Sequence, residues 1–149
     1  MPMNETLEAF VGPDSIDDFF KAFESNTAFV VHGLDRSINE LTALPFLESL
    51  KKLVDFWPKE VEVHLPDLSD EASAVQATPK KALEMHQAGM GLLFNDVNTI
   101  SPILTTWLDQ LRQALGLSVH TYGRNLIYAT KEGRGTAPHF DQNINSKDR

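Results

Sequence analysis

The chain has 149 residues, of which 42% are hydrophobic and 23% charged, and its 13 Lys plus Arg against 21 Asp plus Glu give a formal charge of −8. This length and composition favour one folded domain over disorder, collagen-like repetition or a coiled coil. The negative charge disfavours nucleic acid and anionic membranes as direct partners, because both would repel the chain.

The chain contains no cysteine. This excludes disulfides, thiolate zinc sites, iron–sulfur clusters and cysteine nucleophiles, and it leaves metal binding to His, Asp and Glu. The first ten residues lack the basic and apolar stretches of a signal peptide, and no apolar run approaches the ~20 residues that span a bilayer. We therefore expect a cytoplasmic protein.

The first third of the chain predicts two helices separated by a strand. Ser15 and Asp18 have the spacing of a capping box before residues with helical apolar periodicity. The apolar residues 28–31 predict a short buried strand. A second helical pattern, over residues 37–57, should be broken or restarted at Pro45.

The middle of the chain predicts a strand, a loop, a helix and a second strand. Residues 60–65 alternate between apolar and polar side chains, which is typical of a strand with one solvated face, and His64 is expected on that face. Residues 66–76 are small, polar and acidic and predict a surface loop. Thr78 followed by Pro79 predicts a helix start, with Thr78 as the N-cap, and residues 90–94 predict a short apolar strand.

The last predicted helix begins at Ser101-Pro102 and ends before Gly116. Two strands are predicted after it, over residues 118–122 and 125–130. The glycines of Gly133-Arg-Gly135 indicate a turn rather than a phosphate-binding loop, since no Gly-Lys-Ser/Thr follows. Helices thus come mostly before strands, and this order predicts an α+β fold.

The tripeptide His139-Phe140-Asp141 carries the clearest chemical signal. Side chains alternate along a strand, so His139 and Asp141 would point to the same side and could hold one metal ion. With one further histidine they would form the two-histidine, one-carboxylate triad of non-heme Fe(II) oxygenases. A tripeptide alone is weak support, and a solvated pair at a strand end is the alternative.

The segment around this tripeptide, Tyr122-Gly-Arg-Asn-Leu-Ile-Tyr-Ala-Thr-Lys-Glu-Gly-Arg-Gly-Thr-Ala-Pro-His-Phe-Asp141, resembles the entry to the jelly-roll core of the JmjC and cupin-like 2-oxoglutarate oxygenases. The resemblance implies an N-terminal elaboration of helices and strands over residues 1–116. Residues 117–149 would then be the first strands of an incomplete double-stranded β-helix.

The resemblance also implies a site and a reaction. His139 and Asp141 correspond to the first two Fe(II) ligands of the family, and Asn125 corresponds to a polar residue beside the cosubstrate 2-oxoglutarate. The implied activity is hydroxylation, most simply of a protein or peptide side chain.

The sequence departs from the family pattern at three points. Residues 142–149 contain no histidine that could be the third ligand, and the basic residue that pairs with 2-oxoglutarate in the family is expected beyond residue 149. An aromatic residue expected two positions after Asn125 is replaced by Ile127, with Tyr128 on the opposite face of the strand. We therefore expect a truncated or degenerate member that binds divalent metals weakly and exchangeably, because two ligands fix coordination geometry less well than three.

A second function, of a different class, stays open: a catalytically inactive cupin-like binding or assembly module. An incomplete jelly roll leaves a sheet edge unpaired, so such a module would need a partner chain or would self-associate through that edge. Which substrate an active form would use does not follow from the motifs.

The remaining histidines and acidic residues have simpler interpretations. His120 is expected to make an ordinary hydrogen bond on a strand, His86 to interact with a helix C-terminus, and His32 to end a strand. The acidic run Asp67, Asp70 and Glu71 is expected to be solvated surface.

Overall fold

The computed structural model describes residues 3–34, 39–66 and 73–135, and these residues form six α-helices and four β-strands. The helices are α1 Met3–Val11, α2 Ile16–Ser25, α3 Asn39–Thr42, α4 Leu50–Phe56, α5 Pro79–Gln87 and α6 Pro102–Ala114. The strands are β1 Val61–His64, β2 Ala74–Ala77, β3 Gly91–Phe94 and β4 Ile127–Ala129. Short 3₁₀ helices cover Pro13–Ser15, Pro45–Leu47 and Val97–Ile100. The fold is α+β, as the sequence predicts.

The described residues divide into two compact units. One unit, the helical unit, lies within Met1–Trp57 and Asn95–Leu126, and the other, the sheet unit, lies within Pro58–Phe94 and Ile127–Arg149. The sequence predicts a different division, between an N-terminal elaboration (residues 1–116) and the first jelly-roll strands (residues 117–149). That division rests on the family resemblance and stays a prediction.

The sheet unit is built on an antiparallel sheet with strand order β2-β1-β3-β4. In its register Val63 lies opposite Leu92, and Leu92 lies opposite Ala129. One face is apolar because β1 and β3 place fully buried side chains there: Val61, Val63, Leu92 and Phe94. Helix α5 contacts both of these strands, and its Ala82 is fully buried.

In the helical unit, α1 packs against α6 and buries Leu7, Val11 and Leu104. Helix α4 packs against the 3₁₀ helix Pro45–Leu47, where the Phe46 and Phe56 rings stack with centroids 5.5 Å apart. Pro45 thus separates α3 from α4, as predicted, because it cannot donate a backbone hydrogen bond within a helix.

The predicted start and end of α6 are confirmed. The Ser101 hydroxyl accepts a hydrogen bond from the Leu104 amide at 3.4 Å, and Pro102 occupies the first turn. Gly116 has a φ of +66°, which glycine adopts without strain, and the Leu117 amide then donates to the Arg112 carbonyl at 3.0 Å.

Strand predictions succeeded for β1, β3 and β4 and failed in three places. Residues 118–122 form a turn rather than a strand, with the Thr121 amide donating to the Ser118 carbonyl at 2.9 Å. The predicted loop 66–76 contains most of β2, since backbone pairing with β1 does not require buried side chains. Residues 28–31 form no strand and pair with none of the described strands.

Helix predictions failed in finer detail. Helix α1 was not predicted, although it supplies Leu7 and Val11 to the core. Ser15 and Thr78 precede α2 and α5 as expected, but neither side chain makes a capping hydrogen bond. Strands β1 and β3 precede α6, as their predicted positions require, and β2 is the strand before α6 that was not predicted.

Candidate functional site

Asn125 lies two residues before β4 in the sequence, and its backbone is hydrogen-bonded on both sides. Its amide donates to the Asn98 side-chain oxygen at 3.0 Å, and its carbonyl accepts from the Val97 amide at 2.9 Å. Both partners belong to the 3₁₀ helix Val97–Ile100, and Val97 is fully buried while Asn98 is 7% exposed. The main chain at Asn125 is therefore fixed against a buried part of the helical unit.

Asn98 itself is held by α6. The Thr105 hydroxyl donates to the Asn98 carbonyl at 2.7 Å. The turn before Asn98 places Asp96 at a φ of +57°, a left-handed conformation that Asp tolerates better than most residues. Asn98 thus connects the start of α6 to Asn125, 27 residues further along the chain.

The side chain of Asn125 is the unusual part of this arrangement. Its Oδ1 atom is buried and accepts no hydrogen bond from any residue that the structure describes. Buried polar atoms are almost always hydrogen-bonded, and one without a partner destabilises a fold by about 1–3 kcal/mol. The atom is therefore available to a ligand or to a water molecule.

The other two predicted site residues, His139 and Asp141, lie outside the described residues, which end at residue 135. The acidic run Asp67, Asp70 and Glu71 also lies outside them. Within the described ranges, no group of three or more His, Cys, Asp or Glu side chains is arranged to hold a metal ion.

The residues after Asn125 follow the predicted alternation. Ile127 lies opposite Phe94 and Tyr128 opposite Leu93, so the two side chains occupy opposite faces of β4. The loop after β4 is a turn, as predicted, with Gly133 at a φ of +73° and the Arg134 amide donating to the Lys131 carbonyl at 3.0 Å.

The histidine predictions were partly wrong. His120 is exposed and lies in the turn after α6, where its backbone amide donates to the Ser118 hydroxyl at 3.2 Å, rather than on a strand. His86 lies at the end of α5 as expected, with Nδ1 3.0 Å from the Met90 carbonyl. His32 is exposed.

His64 was predicted on a solvated face, but its side chain is only 19% exposed. Its Nε2 lies 2.9 Å from the Glu62 carboxylate, and its ring lies 5.5 Å from the Tyr128 ring. Partial burial of the Tyr128 hydroxyl, with a smaller contribution from the Glu62 charge, raises the Tyr128 pKa above 10.0.

Gly91 explains how these side chains meet. Gly91 on β3 lies opposite His64 on β1, and a Cβ atom at position 91 would lie 2.9 Å from the Tyr128 hydroxyl oxygen. The missing side chain lets Tyr128 on β4 reach across β3 to His64 on β1. The isolated glycine in an apolar run was the one sequence signal for this close approach.

No helix in the described part of the chain is both long and apolar enough to cross a membrane. No model of a known protein family matches the sequence. The chain is similar to an uncharacterized protein of Bacillus subtilis (strain 168), YxbC, with 24% identity over 146 residues. The match covers 93% of this chain and 43% of YxbC, so the chain spans less than half the length of that relative.

Proposed function

We propose that this chain derives from the JmjC and cupin-like Fe(II) and 2-oxoglutarate-dependent oxygenases and that its ancestral substrate is a protein or peptide side chain. In this proposal β4 belongs to the first strands of an incomplete jelly roll, and His139 and Asp141 are two of three Fe(II) ligands. The bound metal and 2-oxoglutarate would supply the activation of dioxygen for hydroxylation.

The observation that carries the proposal is the buried, unpartnered amide oxygen of Asn125, the residue that the motif resemblance assigns to the cosubstrate. Rotation of the Asn125 amide by about 180° exchanges the positions of its oxygen and nitrogen. The rotated amide would present an N–H donor at the same buried position, and a carboxylate is an acceptor only. The residue therefore fits a 2-oxoglutarate carboxylate.

The backbone of Asn125 supports this role. Hydrogen bonds to Asn98 and Val97 fix its main chain through groups of the chain itself. A binding group on a fixed main chain loses little conformational entropy when it contacts its ligand. The role proposed for Asn125 is to bind and orient 2-oxoglutarate, while His139 and Asp141 would coordinate Fe(II).

The proposal requires a third ligand that residues 142–149 do not contain. It would come from residues outside this sequence or from another chain. The similarity to YxbC is compatible with a longer protein, because more than half of that relative lies outside the match.

The test is an anaerobic titration of the chain with Fe(II) and 2-oxoglutarate, which gives a visible charge-transfer band when the cosubstrate chelates the metal, followed by succinate detection on adding oxygen. We expect His139→Ala and Asp141→Ala to abolish the band and Asn125→Ala to weaken 2-oxoglutarate binding. His120→Ala, at an exposed histidine, is the matched control and should change nothing. Undiminished succinate formation in both ligand variants would contradict the proposal.

The alternative function, a catalytically inactive binding or assembly module, is favoured by a different observation. Among the described strands, β4 lies at one edge of the sheet, and the side of β4 that faces away from β3 pairs with no strand. Val30, in a segment without assigned secondary structure, is 71% exposed. Unpaired strands of this kind can add a strand from another chain.

The alternative predicts self-association or a partner and no charge-transfer band. Light scattering of the purified chain measures self-association directly. A stable monomer that is also inactive would count against the module.

A further inference from the structure

A groove of about 500 Å³ lies between α1, α3 and α6 of the helical unit. This volume falls in the range of about 300–1,000 Å³ that is usual for small-molecule sites. The described residues that line it belong to the same unit, and none of these is part of the Asn125 site.

One wall of the groove is aromatic and aliphatic. The rings of Phe10 on α1 and Trp107 on α6 lie 5.0 Å apart at an interplanar angle of 39°. Phe10 is 40% exposed and Ile103, one turn before Trp107, is 56% exposed. Apolar side chains of this size are therefore left open to solvent where a ligand could cover them.

The base of the groove is polar but carries no charge. The fully buried Thr6 hydroxyl donates to the Gln110 side-chain oxygen at 3.1 Å, which joins α1 to α6. Because this hydrogen bond satisfies the buried hydroxyl, the base can accept an apolar group without leaving the Thr6 hydroxyl unpaired.

Glu40 on α3 is the only charged side chain among the described lining residues. It forms no ion pair with any residue in the described ranges. A carboxylate and an aromatic pair that line the same groove favour a cation, since the faces of Trp and Phe rings carry partial negative charge. The formal charge of −8 on the chain adds to this preference.

We propose that this groove binds an organic cation with an apolar body, such as an alkylated or aryl-substituted ammonium group. Trp107 and Phe10 contact the apolar body and the cation, and Glu40 neutralises the charge. The volume of the groove favours a free amine as the ligand, and a peptide that carries a methylated lysine is the competing outcome of the test.

The experiment compares three ligands of similar size by isothermal titration calorimetry with the full chain: benzyltrimethylammonium, the neutral benzyl alcohol and the anion phenylacetate. Contact of a cation with an aromatic face is worth about 0.5–2 kcal/mol, so we expect the cation to bind about 2- to 30-fold more tightly than the alcohol. The anion should bind most weakly. Equal affinity for all three ligands, or no saturation by the cation in the millimolar range, would overturn the proposal.

Two variants locate the site. Glu40→Gln keeps the shape of the side chain and removes its charge, and it should reduce the preference for the cation to the part that the Trp107 and Phe10 rings supply. Glu24→Gln, at an exposed residue of α2 outside the groove, is the matched control and should keep it. An equal effect of both variants would show a general effect of net charge and would refute the site.

A peptide that contains trimethyllysine, compared with the same peptide containing unmodified lysine, separates the two sources of the ligand. Tighter binding of the modified peptide than of benzyltrimethylammonium would overturn the assignment to a free amine. Binding of benzyltrimethylammonium alone would identify a free amine. Failure of both would overturn the proposal, and neither result depends on Fe(II) or 2-oxoglutarate.

Discussion

The attachment of Asn125 to Asn98 can be tested by removing one side chain. Asn98→Ala deletes the acceptor of the Asn125 amide, a hydrogen bond of 3.0 Å formed by a residue that is only 7% exposed. A lost hydrogen bond of this kind destabilises by about 1–3 kcal/mol when its donor stays buried. Asn125 is half-buried, so water can replace part of the bond, and we expect a loss of about 1–2 kcal/mol in the free energy of unfolding.

Urea denaturation measures this loss, with Asn39→Ala as the matched control. Asn39 is exposed at the start of α3, and its replacement should change stability by no more than about 0.5 kcal/mol. Hydrogen exchange adds a local measurement, because the Asn125 amide should exchange about tenfold faster for each 1.4 kcal/mol lost. Equal destabilisation by the two variants, or unchanged exchange at Asn125, would refute the attachment.

Two further predictions concern Tyr128. Gly91→Ala should destabilise the chain by about 1 kcal/mol, because the new methyl group would lie 2.9 Å from the Tyr128 hydroxyl oxygen. In a Tyr128→Ala background the same change should be neutral or stabilising. Destabilisation of the same size in both backgrounds would exclude the clash. Absorbance titration at alkaline pH, compared with Tyr128→Phe, should show a Tyr128 pKa above 10.0. Because the folded-state pKa is raised, the contribution of Tyr128 to stability is complete below pH 10 and decreases as the pH rises towards the folded-state pKa, and Tyr128→Phe should lack this decrease. A Tyr128 pKa at or below 10.0 would contradict the stated effect of burial.

The elements predicted correctly are those whose signal is local. Strands β1 and β3 have alternating or continuous apolar residues, and α6 has both a serine cap and a terminal glycine. Strand β2 was missed because residues 66–76 are mostly small, polar and acidic, which is typical of a loop. Its Val75 and Gln76 are exposed, so the strand has little apolar signal. Its pairing with β1 is made by backbone groups, which no side-chain pattern reports.

The site was predictable only in part for the same reason. The motif resemblance predicted a site role for Asn125, which stays a prediction, but it gave no sign that Asn98, 27 residues earlier, would fix its main chain. The contact between His64 and Tyr128 likewise depends on strand register across β3, which a single sequence does not specify.

The side chain of Asn125 distinguishes the two candidate functions by the sign of a stability change. In a module without a ligand, a buried amide oxygen that accepts no hydrogen bond only destabilises the fold, so Asn125→Leu, which is similar in size, should raise the free energy of unfolding by about 1 kcal/mol. In the oxygenase, 2-oxoglutarate with Fe(II) should stabilise the unmodified chain and leave Asn125→Leu unaffected, since only the amide can bind the carboxylate. Thermal unfolding of both proteins, with and without these ligands, measures both effects. Stabilisation of both proteins to the same extent would show that Asn125 is not part of the binding site. A lower free energy of unfolding for Asn125→Leu would show that the Asn125 amide already has a hydrogen-bond partner in the free chain.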